Sequence, residues 1–180
     1  MHYLMLITFT MLPGETSQDA RGRAFNLLME DESFCGEGGR FGSPICDWFV
    51  IGGRWSGYLR ERLIGESYRE TVKQRFPKLA GDYYSEADAK AHAPALDALW
   101  REYGGSGPSP FTRSGYERMG YDDDSMPVDR SLYDRFLAEY RGEADRKENS
   151  YRCPFADLDG EEVDETFIGR KWIAIVDYHN

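Results

Sequence analysis

Two segments with apolar residues on both faces lie at opposite ends of the chain. Residues 2–10 (HYLMLITFT) and residues 171–179 (KWIAIVDYH) carry apolar side chains at both odd and even positions. A strand is apolar on both sides where both faces of its sheet are covered. The pattern therefore predicts two central strands, and we expect them to be neighbours in one sheet.

Four segments have apolar residues at helical spacing. Two of them begin with the pattern of a capping box, in which Thr16 precedes Asp19 and Ser85 precedes Asp88. Pro94 should kink or split the second of these helices, because proline lacks a backbone N–H and clashes with the preceding turn. The predicted helices cover residues 16–31, a short stretch starting near Ser56, residues 85–103, and residues 128–142, which Pro127 can open.

The remaining segments read as strands and loops. Asp159-Gly160 is a short hairpin signal within residues 155–163. The other assignments are a glycine-rich loop at 34–45, a strand at 46–51, loops over 104–127 and a polar linker at 142–150.

This order of elements predicts an α+β fold. We expect a mostly antiparallel sheet with helices on one face, in a sandwich of ferredoxin-like kind. Residues 1–180 are predicted to form a single domain. Residues 65–128 form a helical and loop insertion over its core, because they contain few aliphatic residues for a core of their own.

Charge and cysteine content narrow the classes of function. The chain of 180 residues has a net charge of −10, which disfavours direct binding to nucleic-acid phosphates and would suit a basic protein partner. Its three cysteines are scattered and lack CxxC spacing, which argues against a disulfide framework or a zinc knuckle. No apolar run approaches the length of a membrane span. We therefore expect a cytoplasmic protein.

The segment from Asp47 to Gly57 (DWFVIGGRWSG) is the densest in special chemistry. Gly52 and Gly53 would let backbone N–H groups approach a ligand, and Arg54 can grip a phosphate or carboxylate with two hydrogen bonds. A following helix start would add partial positive charge. The segment therefore predicts an anion site, although a tight turn and a structural ion pair would explain the same residues.

Two tryptophans flank the glycine pair. Trp48 and Trp55 could stack on a base or a guanidinium group, or could belong to the core. The spacing matches neither a Walker loop nor the dinucleotide-binding glycine fingerprint.

The chain end supplies a second polar group of residues. Asp177 and His179 lie on the same side of the last strand, where they could act as base and orienter or as two metal ligands. Asp47 could join them as a third catalytic candidate. His2 would approach His179 across an antiparallel pair, although an exposed N-terminal histidine is the simpler interpretation. A metal site needs more ligands than this set offers, so neither a metal nor a cofactor is assigned.

Other candidates carry less information. No serine or cysteine has a recognisable nucleophile setting, and the sequence leaves open whether the protein is an enzyme. The run Asp122-Asp123-Asp124 could bind a cation or a basic partner, but we expect a solvated loop there.

A resemblance adds to these patterns. The D-W-F-V-I-G-G-R-W-S-G segment and the C-terminal V-D-Y-H resemble uncharacterised small proteins of bacteriophages and mobile elements, with a W-D-[WY]-x-x-[IV]-G-G-R-W core and a terminal V-D-x-H. This chain has Ile45-Cys46 where the leading tryptophan would be expected. The resemblance implies a phage-associated protein and implies that the two motifs form one unit.

Three functions follow as hypotheses. The first is binding of a small anionic ligand, such as a nucleotide. The second is an acidic interaction module that inhibits a basic host enzyme acting on nucleic acid. The third is a metal-assisted hydrolase that uses Asp47, Asp177 and His179.

Overall fold

The computed structural model describes residues 2–31, 34, 46, 48–80, 85–113, 121–141 and 155–179. Its strands are β1 (His2–Thr10), β2 (Trp48–Ile51), β3 (Ser125–Pro127), β4 (Phe155–Asp157) and β5 (Lys171–His179). Its α-helices are α1 (Ser17–Glu30), α2 (Tyr58–Ile64), α3 (Glu66–Arg75), α4 (Glu86–Ala91), α5 (Ala93–Glu102) and α6 (Arg130–Leu132). A π-helical segment (Tyr133–Leu137) follows α6, and 3-10 turns occupy Gly53–Trp55, Pro77–Leu79, Asp122–Asp124, Ala138–Tyr140 and Glu165–Phe167.

The two predicted central strands are neighbours, as expected. β1 pairs with β5 antiparallel over the full length of both strands. β2 and β3 pair antiparallel with the other edge of β5, and β4 pairs with β1 in parallel. The strand order is β2-β5-β1-β4, with β3 beside β5. The predicted α+β class with a mostly antiparallel sheet is therefore confirmed.

β2 and β3 are two halves of one edge strand. Ile51 pairs with Val176, the Gly52 N–H donates to the Ile175 carbonyl at 2.9 Å, and Ser125 pairs with Ala174. The register along β5 continues without a gap, although the chain leaves the sheet after Gly52 and returns at Ser125. Residues 53–124 are thus an excursion from the middle of one edge.

Helical segments pack on both faces of the sheet, whereas the sequence predicted one face. α1 covers one face through Ala20, Ala24 and Leu28. Leu59 of α2 and the segment after α6 cover the other face. A ferredoxin-like arrangement is not confirmed, because the sheet combines a split edge strand with a parallel β1–β4 pair.

The excursion also has a hydrophobic cluster of its own. Aromatic and aliphatic side chains between residues 68 and 111 pack together: Tyr68, Val72, Leu79, Ala89, Leu96, Leu99, Trp100 and Phe111. Three of these eight are aromatic and five are aliphatic, so the segment buries a cluster although the sequence predicted too few aliphatic residues for a core of its own.

Capping residues and a proline in the sequence correctly predicted where three helices begin. Thr16 Oγ1 accepts a hydrogen bond from the Asp19 N–H, and Asp19 Oδ2 accepts one from the Thr16 N–H, so the predicted capping box of α1 is confirmed. Ser85 caps α4 as predicted. The helix expected at 85–103 is split before Pro94, which lies in the first turn of α5.

Three local predictions were wrong. Residues 125–127 form β3 and not a loop, because the edge of β5 beyond β2 supplies the partner. α6 begins at Arg130, where the Asp129 side chain accepts from the Leu132 N–H, and does not begin after Pro127. Asp159-Gly160 does not close a hairpin, because β4 pairs with β1 while the residues after it turn toward Lys171.

Candidate functional site

Three ring side chains, those of Trp48, His179 and His2, form a ring cluster at one end of β5, in which each ring contacts the other two. His179 pairs in register with Trp48 on one side and with His2 on the other. The Trp48 and His179 rings stack with centroids 5.8 Å apart and planes 4° apart. The rings of His2 and His179 meet edge to face at 5.5 Å. Trp48 is 43% exposed, which is unusual for an indole, so the ring cluster is open to solvent at Trp48.

Asp177 lies beside this ring cluster, two residues before His179 on β5, and is buried. Its Oδ1 accepts from His2 Nδ1 at 2.9 Å, and its Oδ2 accepts from the Arg54 N–H at 2.8 Å. A buried carboxylate needs such donors, because it has lost its hydration. The bond to Asp177 also fixes the orientation of the His2 ring. His2 and Asp177 therefore have the geometry of a base and its orienting carboxylate.

The space above the glycine pair, where an anionic ligand was predicted, is occupied by two carboxyl groups of the chain itself. A Cβ atom on Gly52 would lie 2.3 Å from Asp124 Oδ2, and a Cβ atom on Gly53 would lie 2.5 Å from Asp177 Oδ2. Both glycines have positive φ, 89° and 55°, which side-chain-bearing residues rarely adopt. The turn thus brings two carboxylates from distant segments against its backbone.

Asp124 belongs to a buried polar network that sequence reasoning missed. Arg113 Nη1 and Nη2 donate to the two oxygens of Asp123 at 2.9 and 2.8 Å. Arg113 Nη1 also donates to Ser56 Oγ at 3.0 Å, and Ser56 donates onward to Asp124 Oδ1 at 2.7 Å. This network links the segment that precedes β3 to the turn that follows β2.

The prediction of a solvated Asp122–Asp124 loop was wrong for two of its three residues. Asp123 and Asp124 are buried, and Asp122 is exposed. The reason is tertiary: Arg113 supplies the counter-charge for Asp123, and glycine at position 52 leaves room for Asp124. The only sequence signal was that the acidic run directly precedes a short apolar stretch at 126–128.

The two oxygens of Asp124 have different surroundings. Oδ1 accepts from Ser56 Oγ and from the Gly57 N–H, whereas Oδ2 is buried and receives no hydrogen bond from the described residues. Burial raises the pKa of this carboxyl from 3.8 to about 7, and Asp123 contributes in the same direction. A proton on Asp124 is therefore part of the folded state over much of the acidic pH range.

A third cluster lies at the other end of β5. Lys171 is buried, and its Nζ donates to Asp159 Oδ2 at 2.6 Å and to Asp157 Oδ1 at 3.0 Å, with Glu161 Oε1 also 3.0 Å away. Hydrogen bonds from Arg170 and Lys171 lower the pKa of Glu161 to about 2. These three carboxylates have the spacing of a cation site. Here the ammonium group of Lys171 takes the place of the cation.

The predicted site residues are distributed unequally. Trp48, Asp177 and His179 come together with the backbone of Arg54, whose side chain is exposed. Trp55 instead is partly buried and packs against the hydrophobic cluster on the face of the sheet that α2 covers. Asp47 lies outside the described residues.

His2 is the residue that sequence reasoning undervalued. Its position opposite His179 follows from the full-length β1–β5 register, which the two strand patterns favour but do not fix. Its bond to Asp177 runs diagonally between strands, and no local pattern indicates it.

No helix among the described residues is long and apolar enough to cross a membrane. Comparison of the chain with family models, with curated proteins and with solved structures gave no match. The resemblance to phage and mobile-element proteins therefore stays a prediction.

Proposed function

We propose that this protein acts in the cytoplasm and binds a small anionic ligand that carries a flat ring, such as a nucleotide. The observation that supports it is the ring cluster of Trp48, His179 and His2, in which an exposed indole stacks on one imidazole and contacts a second edge to face. Aromatic faces of this kind stack on bases, and imidazole N–H groups donate to phosphate oxygens.

Arg54 supplies the permanent positive charge of the proposed site. Its backbone N–H is fixed to Asp177, so the residue starts from a defined point beside the ring cluster; the residue is exposed, and a guanidinium group can pair with phosphate. The whole chain has a net charge of −10, which repels anions in general. An anionic ligand would therefore bind through the local positive charge of Arg54, against the electrostatic repulsion of the protein as a whole.

The glycine pair has a different part in this proposal from the one that its sequence suggested. The Gly52 N–H already donates to Ile175, and the space above both glycines is filled by Asp124 and Asp177. Gly52 and Gly53 shape the turn, while side chains contact the ligand. Trp48 takes the stacking position, because it is exposed whereas Trp55 is partly buried against the core.

Calorimetry with a panel of nucleotides tests the proposal. Arg54→Ala removes the guanidinium but keeps the N–H that binds Asp177, so we expect at least tenfold weaker binding without loss of the fold. Trp48→Ala should weaken nucleotides at least tenfold and should affect inorganic phosphate much less, since phosphate has no ring to stack.

Arg75→Ala is the matched control, because Arg75 is an exposed arginine at the end of α3. Its affinity for nucleotides should equal that of the wild type. The proposal is wrong if the wild type binds no member of the panel, or if Arg75→Ala weakens binding as much as Arg54→Ala does.

The other two functions stay predictions. A basic host protein remains a predicted partner on the net charge, but burial of Asp123 and Asp124 removes the acidic loop from that argument. The hydrolase keeps Asp177 and His179 in one place, with Asp177 already bound to His2 and to the Arg54 N–H.

A further inference from the structure

We propose that the buried polar junction around Asp124 is a proton-operated latch, which holds the two ends of the 53–124 excursion together and opens locally when Asp124 loses its proton. The excursion leaves the sheet after Gly52 and returns at Ser125, so its two ends meet at one edge of β5. The latch does not depend on the proposed binding of an anion.

The junction joins the start of the excursion directly to its end. Ser56 Oγ and the Gly57 N–H donate to Asp124 Oδ1 at 2.7 and 3.2 Å. Arg113 Nη1 donates to Ser56 Oγ at 3.0 Å and to Asp123 Oδ1 at 2.9 Å. Asp124 is the acceptor at which the two ends meet, so a change in its charge acts on the closure of the whole excursion.

The surroundings of Asp124 favour its neutral form. The residue is fully buried, and its Oδ2 receives no hydrogen bond from the described residues. The same oxygen lies against the backbone of Gly52, where a Cβ atom would be 2.3 Å away. A buried carboxylate has lost its hydration and needs donors in exchange. Loss of the proton therefore favours a state in which Asp124 reaches water.

The charges around Asp124 do not offset its ionisation. Burial raises the pKa of this carboxyl to about 7, and Asp123 acts in the same direction, while Arg113 opposes the shift with a guanidinium that is bound to both oxygens of Asp123. No lysine or arginine among the described residues forms an ion pair with Asp124. The Asp122–Asp124 turn is packed against α1, α2 and β3, whose charged residues are Asp19, Arg21, Arg23 and Glu30 of α1 and Arg60, Glu61 and Arg62 of α2.

The excursion can open at its base without unfolding of the sheet. Its hydrophobic cluster is built from its own residues between 68 and 111, and β1 and β5 pair with each other over their full lengths. The Gly57 N–H is bound to Asp124 and therefore reports on the latch. The amides between β1 and β5 report on the sheet.

Amide hydrogen exchange of the full chain, followed by NMR from pH 5 to pH 8, tests the latch. Opening releases the proton of Asp124, whose pKa is 3.8 in an ordinary setting and about 7 in the closed junction. After correction for the intrinsic pH dependence of exchange, the protection factor of Gly57 should fall about fiftyfold from pH 5 to pH 7 and then level off.

Low concentrations of urea distinguish local opening from unfolding of the sheet. A local opening exposes little surface, so exchange at Gly57 should respond weakly to urea, whereas the β1–β5 amides should respond strongly. The β1–β5 amides should also be at least tenfold better protected than Gly57 at every pH. Equal protection and equal urea dependence at both places would overturn the latch.

Asp124→Asn keeps an oxygen for Ser56 and Gly57 but does not titrate, so its Gly57 protection factor should change less than twofold from pH 5 to pH 7. Asp122→Asn, an exposed neighbour, is the matched control and should behave like the wild type. A pH dependence in Asp124→Asn equal to that of the wild type would overturn the proposal.

The wild type alone decides the matter if Asp124→Asn does not fold. The ¹³C signal of the Asp124 carboxyl should titrate with a midpoint near pH 7. A midpoint near 3.8, or a Gly57 protection factor that does not change with pH, would contradict the latch.

Discussion

Gly52 and Gly53 are important because the absence of a side chain leaves room for another group close to the backbone. Each has a positive φ, and each faces a carboxylate that arrives from more than 70 residues away in the sequence. Conformational freedom alone would explain a glycine in the turn. The close approach of Asp124 and Asp177 adds a second requirement, which applies to the space above the backbone.

Gly52→Ala should destabilise the protein far more than Gly65→Ala. The two residues have nearly equal φ, 89° and 90°, but a Cβ on Gly65 would meet nothing within 4 Å. Backbone strain should cost each variant about 1–3 kcal/mol. Crowding against Asp124 should cost Gly52→Ala about 1–3 kcal/mol more.

Urea unfolding of both variants measures the difference between them. Equal losses of unfolding free energy would show that the carboxylate does not crowd position 52.

The split edge strand is the element that organises the molecule. β2 and β3 complete one edge of β5, and the network of Arg113, Asp123, Ser56 and Asp124 closes the gap between the two halves. β2 has four residues and β3 has three, so neither half is long enough to be stable without a partner strand. β5 supplies the hydrogen-bond partners that make both regular.

Titration of Asp124 at this junction should make stability depend on pH. Its pKa is 3.8 in an ordinary setting and about 7 when buried, so between these values only the folded protein holds the proton. The free energy of unfolding that this raised pKa contributes is therefore complete below pH 3.8 and is lost as the pH rises to about 7. The two pKa values correspond to a loss of about 4 kcal/mol.

Asp124→Asn should remove this loss, because an amide does not titrate. Relative to the wild type, the variant should gain unfolding free energy between pH 5 and pH 8, measured by urea denaturation at both values. Asp122→Asn, an exposed neighbour, is the control and should show no such gain. A constant difference between Asp124→Asn and the wild type at the two pH values would refute the assignment.

At the scale of the whole molecule, the buried hydrophobic residues that the structure describes form three clusters. Two lie on opposite faces of the sheet, and the third is built entirely from residues of the 53–124 excursion. The excursion contacts the sheet through the turn Gly53–Trp55, through α2 and through the polar junction. We therefore expect the excursion to open more readily than the sheet.

Leu96→Ala and Leu28→Ala form a matched pair, because both leucines are fully buried, one in the excursion and one in α1. Each substitution should cost about 2–5 kcal/mol of local stability. Hydrogen exchange should accelerate within residues 66–111 for Leu96→Ala, while β1 and β5 stay protected.

Leu28→Ala should instead accelerate exchange in the sheet. If Leu96→Ala speeds exchange in β5 to the same extent as in α5, the excursion and the sheet unfold as one unit.

The sequence by itself determined the elements whose signals are local. The apolar patterns of residues 2–10 and 171–179 predicted the central strand pair. The capping residues Thr16 and Ser85 marked the starts of two helices, and Pro94 predicted the split of the second one. Side-chain periodicity and capping act over a few residues, so one segment contains the whole signal.

Tertiary structure decided which polar residues are buried and which strands pair. β3 is regular only because β5 is beside it, and β4 pairs with β1 where a hairpin was expected. Asp124 is buried because Gly52 and Ser56 lie opposite it, and His2 is oriented because Asp177 is in the adjacent strand. Burial of a charge depends on partners far away in the sequence, and no local pattern encodes those partners.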